Sequence, residues 1–189
     1  GMRVHAVWTT RRDEPMDLSA LIRDVPDYPK PGILFKDITP LLADGAAMRE
    51  VTAQFAARAA ELKADAIAGI EARGFIFAPA VAAQMGLPFI PVRKEGKLPY
   101  DCVTHSYDLE YGSDTLQIHV DALSQGQRVV IVDDLIATGG TAGATVELVR
   151  KLGAVPACAL FLIELDGLGG RDEIEGRGVR VESLISYEV

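Results

Sequence analysis

The feature that most constrains this chain is the run Val129–Val132, VVIV, followed by Asp133-Asp134 and then by ATGGT at Ala137–Thr141. Four β-branched residues in succession suit a strand buried on both faces, as strands of a parallel sheet are. A parallel neighbour needs a crossover connection, so helices must flank such a strand. The expected local unit is a strand ending at Val132, two acids beyond it, a Gly/Thr loop, and a helix over Thr141–Leu152 that stops at Gly153.

The rest of the chain repeats this alternation. Ala46–Leu62 reads as a helix with Met48, Val51, Phe55 and Leu62 along an apolar stripe. Ala66–Ile70 reads as a buried strand, Phe75–Met85 as a helix, Phe89–Val92 and Ala157–Ile163 as further strands, and Val181–Ser186 as a weaker one. Val103–Tyr107 and Thr115–Val120 pair as a hairpin across EYGSD. Helical spacing also appears in Asp17–Val25, whereas the prolines of PDYPKPG at 26–32 make that stretch irregular. Alternating strands and helices imply an α/β fold with a mostly parallel central sheet flanked by helices. One domain is expected over residues 16–189. Residues 1–15 form an extension of unknown role that lacks the apolar stretch of a signal peptide.

With 27 acidic and 19 basic residues the net charge is −8, which argues against non-specific binding to nucleic acid or an anionic membrane. It does not exclude an anionic substrate, because backbone N–H groups and a few local cations build a phosphate site. No segment reaches the roughly 18 apolar residues of a membrane span. Cys102 and Cys158 form no paired motif, so a reduced, cytoplasmic setting is expected. Three histidines make a histidine-rich metal site an unattractive reading.

The loop after VVIV is the strongest chemical signal. A helix N-terminus exposes unpaired N–H groups and a partial positive charge, glycines let the backbone approach, and threonines add donors. Asp133 and Asp134 beside it suit the vicinal hydroxyls of a ribose. A plain acidic turn with a Thr cap is the alternative. GIEARG at 69–74 is a second loop at a strand end, readable as a phosphate loop or as an ordinary turn. RKEGK at 93–97 is a basic segment that suits a diphosphate or solvent. Neither GxxxxGK[ST] nor GxGxxG occurs, and Gly167–Gly170 follows no βαβ start, so mononucleotide P-loop and dinucleotide readings are poor.

Together these segments resemble the type I phosphoribosyltransferases. VVIVDDLIATGGT is similar to that family's signature for 5-phosphoribosyl-1-pyrophosphate. DYPKPGILFKDITPLL, GIEARGFIF, VRKEGKLPY, SYDLEYG and DDLIATGGT resemble its adenine branch in order and spacing, over residues 17–189. The resemblance implies the type I phosphoribosyltransferase fold, with hood elements near 26–42 and 160–189 and a flexible β-ribbon loop. It implies purine salvage: adenine and 5-phosphoribosyl-1-pyrophosphate give AMP and pyrophosphate, with Mg²⁺ carried by the substrate and no direct metal ligand in the chain.

Motif by motif, the resemblance assigns Ala137, Thr138, Gly139, Gly140 and Thr141 to the 5′-phosphate, and Asp133 and Asp134 to the ribose hydroxyls. Glu71, Ala72 and Arg73 become a pyrophosphate loop with a cis peptide, helped by Arg93, Lys94 and Lys97, in a homodimer. The backbone of Leu34 reads adenine, Phe35 and Leu165 stack on it, and Lys36 stands where many relatives have Arg. Phe35 and Leu165 are otherwise ordinary core residues. Glu110 becomes the acid–base residue and Tyr111 part of the lid, although Glu110 read alone only caps a turn. The alternatives are a transferase for a 6-oxopurine and a non-catalytic ligand sensor.

Overall fold

The computed structural model of the chain describes residues 16–108 and 112–189. The extension read over residues 1–15 lies outside the described residues, as do Glu110 and Tyr111. The chain divides into two compact units, with the boundary between Met48 and Arg49.

In the first unit, β1 (Arg23–Pro26) pairs antiparallel with β2 (Leu34–Asp37), setting Asp24 opposite Lys36 and Val25 opposite Phe35. The helix expected over Asp17–Val25 is therefore replaced by a single 3₁₀ turn, Ser19–Leu21, and a strand. The apolar spacing there fits a helix, but Pro26 forces Val25 out of the helical region and β2 takes up the backbone hydrogen bonds. Pro26 ends β1 instead of opening the irregular stretch, and the remaining DYPKPG is irregular as expected, with a cis Tyr28–Pro29 bond. Gly32 closes the loop at φ +88°, donating its N–H to Asp27 Oδ1 at 2.7 Å. Two acids then start helices. Asp37 accepts the Thr39 N–H at 2.9 Å ahead of α1 (Thr39–Ala43), and Asp44 accepts those of Ala46 and Ala47 ahead of α2 (Gly45–Glu61).

The second unit is built on a seven-stranded sheet. The VVIV run sits in β7 (Arg128–Ile136), with all four side chains fully buried. On one side β7 pairs parallel with β3 (Ala66–Ile70), which pairs parallel with β4 (Phe89–Lys94). On the other side lie β8 (Val155–Asp166) and β9 (Val181–Glu188), also parallel. The expected hairpin forms as β5 (Cys102–Asp108) and β6 (Ser113–His119), and β6 adds antiparallel to β4 through Arg93 and Lys94. The sheet is thus parallel except at this ribbon edge. Around it run α3 (Gly74–Met85), α4 (Gly140–Lys151) and the short α5 (Gly170–Glu175).

Three glycines set how closely helices approach the strand ends. A Cβ on Gly69 would lie 2.6 Å from Ala78 Cβ, and one on Gly74 would lie 2.8 Å from the Val132 carbonyl and 3.0 Å from Asp133 Oδ1. A Cβ on Gly170 would lie 2.3 Å from the Ala137 carbonyl. The backbone of α3 therefore touches β7 at Val132 and Asp133, and α5 touches the loop that follows β7. Gly74→Ala should force α3 off β7 and cost about 1–3 kcal/mol, as overpacking does. A urea titration checks this, and a midpoint equal to that of the parent chain counts against the contact.

Candidate active site

β7 does not end at Val132. It stays paired with β8 through Asp133↔Phe161, Leu135↔Ile163 and Ile136↔Glu164, so both acids stand on the strand instead of following it. The apolar run had suggested an earlier end, but β8 is long enough to carry the ladder past the acids. Ala137–Thr141, which the sequence reads as a phosphate loop, follow directly. Gly139 precedes α4 at φ +83°, with no side-chain cap bond. The first intrahelical bond runs from Gly143 N–H to the Gly139 carbonyl at 2.8 Å. The amides of Gly140, Thr141 and Ala142 therefore have no helical acceptor and form an anion-binding end. The threonine cap that a bland acidic turn would have used is not made.

A cleft of about 490 Å³ opens over this loop, lined by residues of the second unit. It brings together Glu71, Ala72, Arg73, Lys94, Asp133, Asp134 and the whole of Ala137–Thr141. Its lining adds Tyr107, Asp114, Leu116 and Phe161, none of which stood out in the sequence. Tyr107 and Asp114 are recognisable only once the hairpin register sets them opposite each other. Arg93, Lys97 and Leu165 are not among the lining residues. Leu34, Phe35 and Lys36 are on β2 in the first unit. There Phe35 is half-buried, edge-on to Tyr28 at 5.2 Å, and Lys36 pairs with Asp24 at 2.6 Å.

Cation–carboxylate pairs organise the cleft. Arg73 Nε donates to Asp134 Oδ2 at 2.5 Å, and Lys94 Nζ pairs with Asp114 Oδ2 at 3.0 Å. Arg93 Nε donates to Glu71 Oε2 at 3.1 Å, and its Nη1 to the Lys97 carbonyl at 3.1 Å. Arg93 thus pins the Glu71 side chain and the turn after β4. The Glu71–Ala72 peptide is cis, as the resemblance implied. The Arg93 guanidinium holds the Glu71 carboxyl below its ordinary value, and the Lys94 ammonium does the same for Asp114.

Asp133 goes the other way. Burial, together with the neighbouring charge of Asp134, pushes its carboxyl well above the usual range, against the lowering effect of the Asp134 N–H that it accepts at 2.9 Å. Ionisation of Asp133 is then easier in the unfolded chain than in the folded one. Stability from this residue is complete at acid pH and is lost as pH rises through the folded-state value. Asp133→Asn removes the ionisation but keeps an oxygen for the Asp134 N–H. Thermal melts should show it stabilising the chain more at ~pH 8 than at ~pH 4. An equal effect at both would mean that Asp133 ionises at no cost.

The phosphoribosyl transferase domain family matches residues 37–187 of the chain. The adenine phosphoribosyltransferase of Chelativorans sp. (strain BNC1) is 53% identical over 171 residues, which is 90% of this chain and 94% of that one. The crystal structure of the adenine phosphoribosyltransferase from Thermoanaerobacter pseudethanolicus is similar with a TM-score of 0.86 at 48% identity, covering 90% of this chain and 98% of that one. The Saccharomyces cerevisiae enzyme, solved with adenine and an imino-altritol bisphosphate, gives a TM-score of 0.84 at 40% identity, covering 88% and 96%. With a cleft built on the signature loop and kinship of this extent, the chain belongs to the phosphoribosyl transferase family, among the adenine phosphoribosyltransferases.

Proposed function

We propose that this chain transfers the 5-phosphoribosyl group from 5-phosphoribosyl-1-pyrophosphate to adenine, giving AMP and pyrophosphate. The observation that carries the proposal is the amide-rich start of α4 beside two carboxylates on β7, within one cleft. The α4 N-terminus, with its share of helix dipole, supplies a site for the 5′-phosphate dianion at Ala137, Thr138, Gly139, Gly140 and Thr141. Asp133 and Asp134 accept hydrogen bonds from the ribose hydroxyls, and Arg73 balances Asp134. Glu71, Ala72, Arg73 and Lys94 border the pyrophosphate end. Arg93 acts there by holding Glu71, and Lys97 suits a role across a homodimer. Leu34, Phe35, Lys36 and Leu165 belong to the reading as base contacts, on the motif resemblance.

Mg²⁺ is read as cargo of the substrate, a hard cation on diphosphate oxygens that would neutralise charge on the departing pyrophosphate. The residues present suit such a cation, because Asp133 and Asp134 repel each other and a positive charge nearby relieves that repulsion. In the reaction the bond from the anomeric carbon to diphosphate breaks, a bond to the adenine ring nitrogen forms, and that nitrogen loses its proton. Glu110 is the proposed acceptor of this proton, with Tyr111 closing over the site to exclude water. A cytoplasmic setting goes with free Cys102 and Cys158. Among the described residues, no helix is long and apolar enough to cross a membrane.

A purine panel tests the reading directly. With Mg²⁺ and the ribosyl pyrophosphate, adenine should release pyrophosphate faster than hypoxanthine or guanine. Absence of release with every purine rejects the activity, and preference for an oxo base rejects the substrate. Glu110→Ala should lower kcat by about 10²–10⁴-fold, the usual range for a lost proton-transfer group, with a much smaller effect on AMP affinity. Unchanged turnover removes Glu110 from the mechanism.

A further inference from the structure

Four side chains of the cleft form a chain of contacts, and two of them, Tyr107 and Asp114, have no part in the reaction scheme. The Tyr107 hydroxyl on β5 lies 3.0 Å from Thr141 Oγ1, in the phosphate loop. It also points its hydroxyl at Asp114 Oδ2, 3.5 Å away on β6. Asp114 in turn holds Lys94 on β4. Tyr107 and Asp114 are direct cross-strand partners, so the register of the ribbon sets this geometry. Thr141 has a second fixed contact, since its carbonyl accepts the Thr145 hydroxyl at 3.0 Å. Its backbone is therefore set by α4, and only its hydroxyl proton is free to choose a direction.

Each hydroxyl has one proton to give, whereas an ionised carboxylate and a phosphate dianion only accept. Either direction of the Tyr107–Thr141 bond fits the distances in the structure. A 5′-phosphate seated on the loop removes that choice. It requires the Thr141 proton, so Thr141 can only accept from Tyr107, and Tyr107 must turn its proton from Asp114 to Thr141. The contact given up is the longer one, beyond the usual range for O–H···O, and Lys94 remains on Asp114 to balance it. Burial pushes the Tyr107 phenol above its ordinary value, so the proton needed for this arrangement is retained.

We propose that Tyr107 is a positioning residue for the 5′-phosphate: by donating to Thr141 Oγ1 it aims the Thr141 hydroxyl proton at the phosphate. The inference rests on the phosphoribosyl reading of the cleft and extends it to a residue of the ribbon. Its role is exerted through Thr141 and not by contact with the reacting atoms.

Tyr107→Phe removes the hydroxyl and keeps the ring. It should raise the KM for 5-phosphoribosyl-1-pyrophosphate and the Kd for ribose 5-phosphate by about tenfold, the size of one hydrogen bond to a charged acceptor. The KM for adenine at saturating ribosyl pyrophosphate should stay unchanged. In a Thr141→Val background, the same substitution should cause no further loss, because the group it positions is gone. Equal effects on both substrates, no effect on ribose 5-phosphate, or a full additional loss beside Thr141→Val would each overturn the proposal. If the parent chain binds ribose 5-phosphate but Tyr107→Phe binds it equally well, this inference fails alone. If the parent chain binds neither ribose 5-phosphate nor AMP, the phosphoribosyl reading fails and takes the inference with it.

Discussion

The site depends on β7 remaining hydrogen-bonded to β8 beyond its apolar run. Loop carboxylates would be solvated and mobile. Carried on a central strand, Asp133 and Asp134 are held by the ladder that holds the core, with Phe161 opposite Asp133. Fixed placement brings desolvation, which explains the raised Asp133 carboxyl. The same strand end sets the start of the phosphate loop, the contact with Gly74 and the partner of Arg73. Rigidity and electrostatic cost at this point have one origin.

An acidic chain that binds a polyanionic substrate needs local cations that do not simply repel one another. Arg73, Lys94 and Arg93 each have a carboxylate partner: Asp134, Asp114 and Glu71. Each pair joins different elements, so it organises the cleft before any ligand arrives. Such pairs contribute little net stability when exposed, and their value here lies in orientation.

Close backbone approach is the other organising element. Gly139 and Gly170 lie against each other, since a Cβ on Gly139 would stand 2.8 Å from the Gly170 carbonyl. GLGG at 167–170 looked like an unremarkable loop in the sequence. Its last glycine lets α5 pack beneath the phosphate loop, which then needs no side-chain cap to hold its shape.

The amino-acid sequence by itself determined the alternation of buried strands and helices, the hairpin, the Gly/Thr phosphate loop, and the kinship carried by five motifs. These are local signals of periodicity, β-branching and loop composition, readable without knowing which segments meet. Only the tertiary structure decided where β7 ends, because that depends on the length of β8. It also turned Asp17–Val25 from a helix into a 3₁₀ turn and a strand from Arg23, because β2 offered a partner that helical spacing cannot reveal. Tyr107 and Asp114 entered the cleft for the same reason: their significance comes from cross-strand register, a relation between distant residues. The signature loop was legible because the anion-binding chemistry it suits is built into its own backbone, whereas the residues proposed to orient its hydroxyl belong to strands that meet it only in the fold.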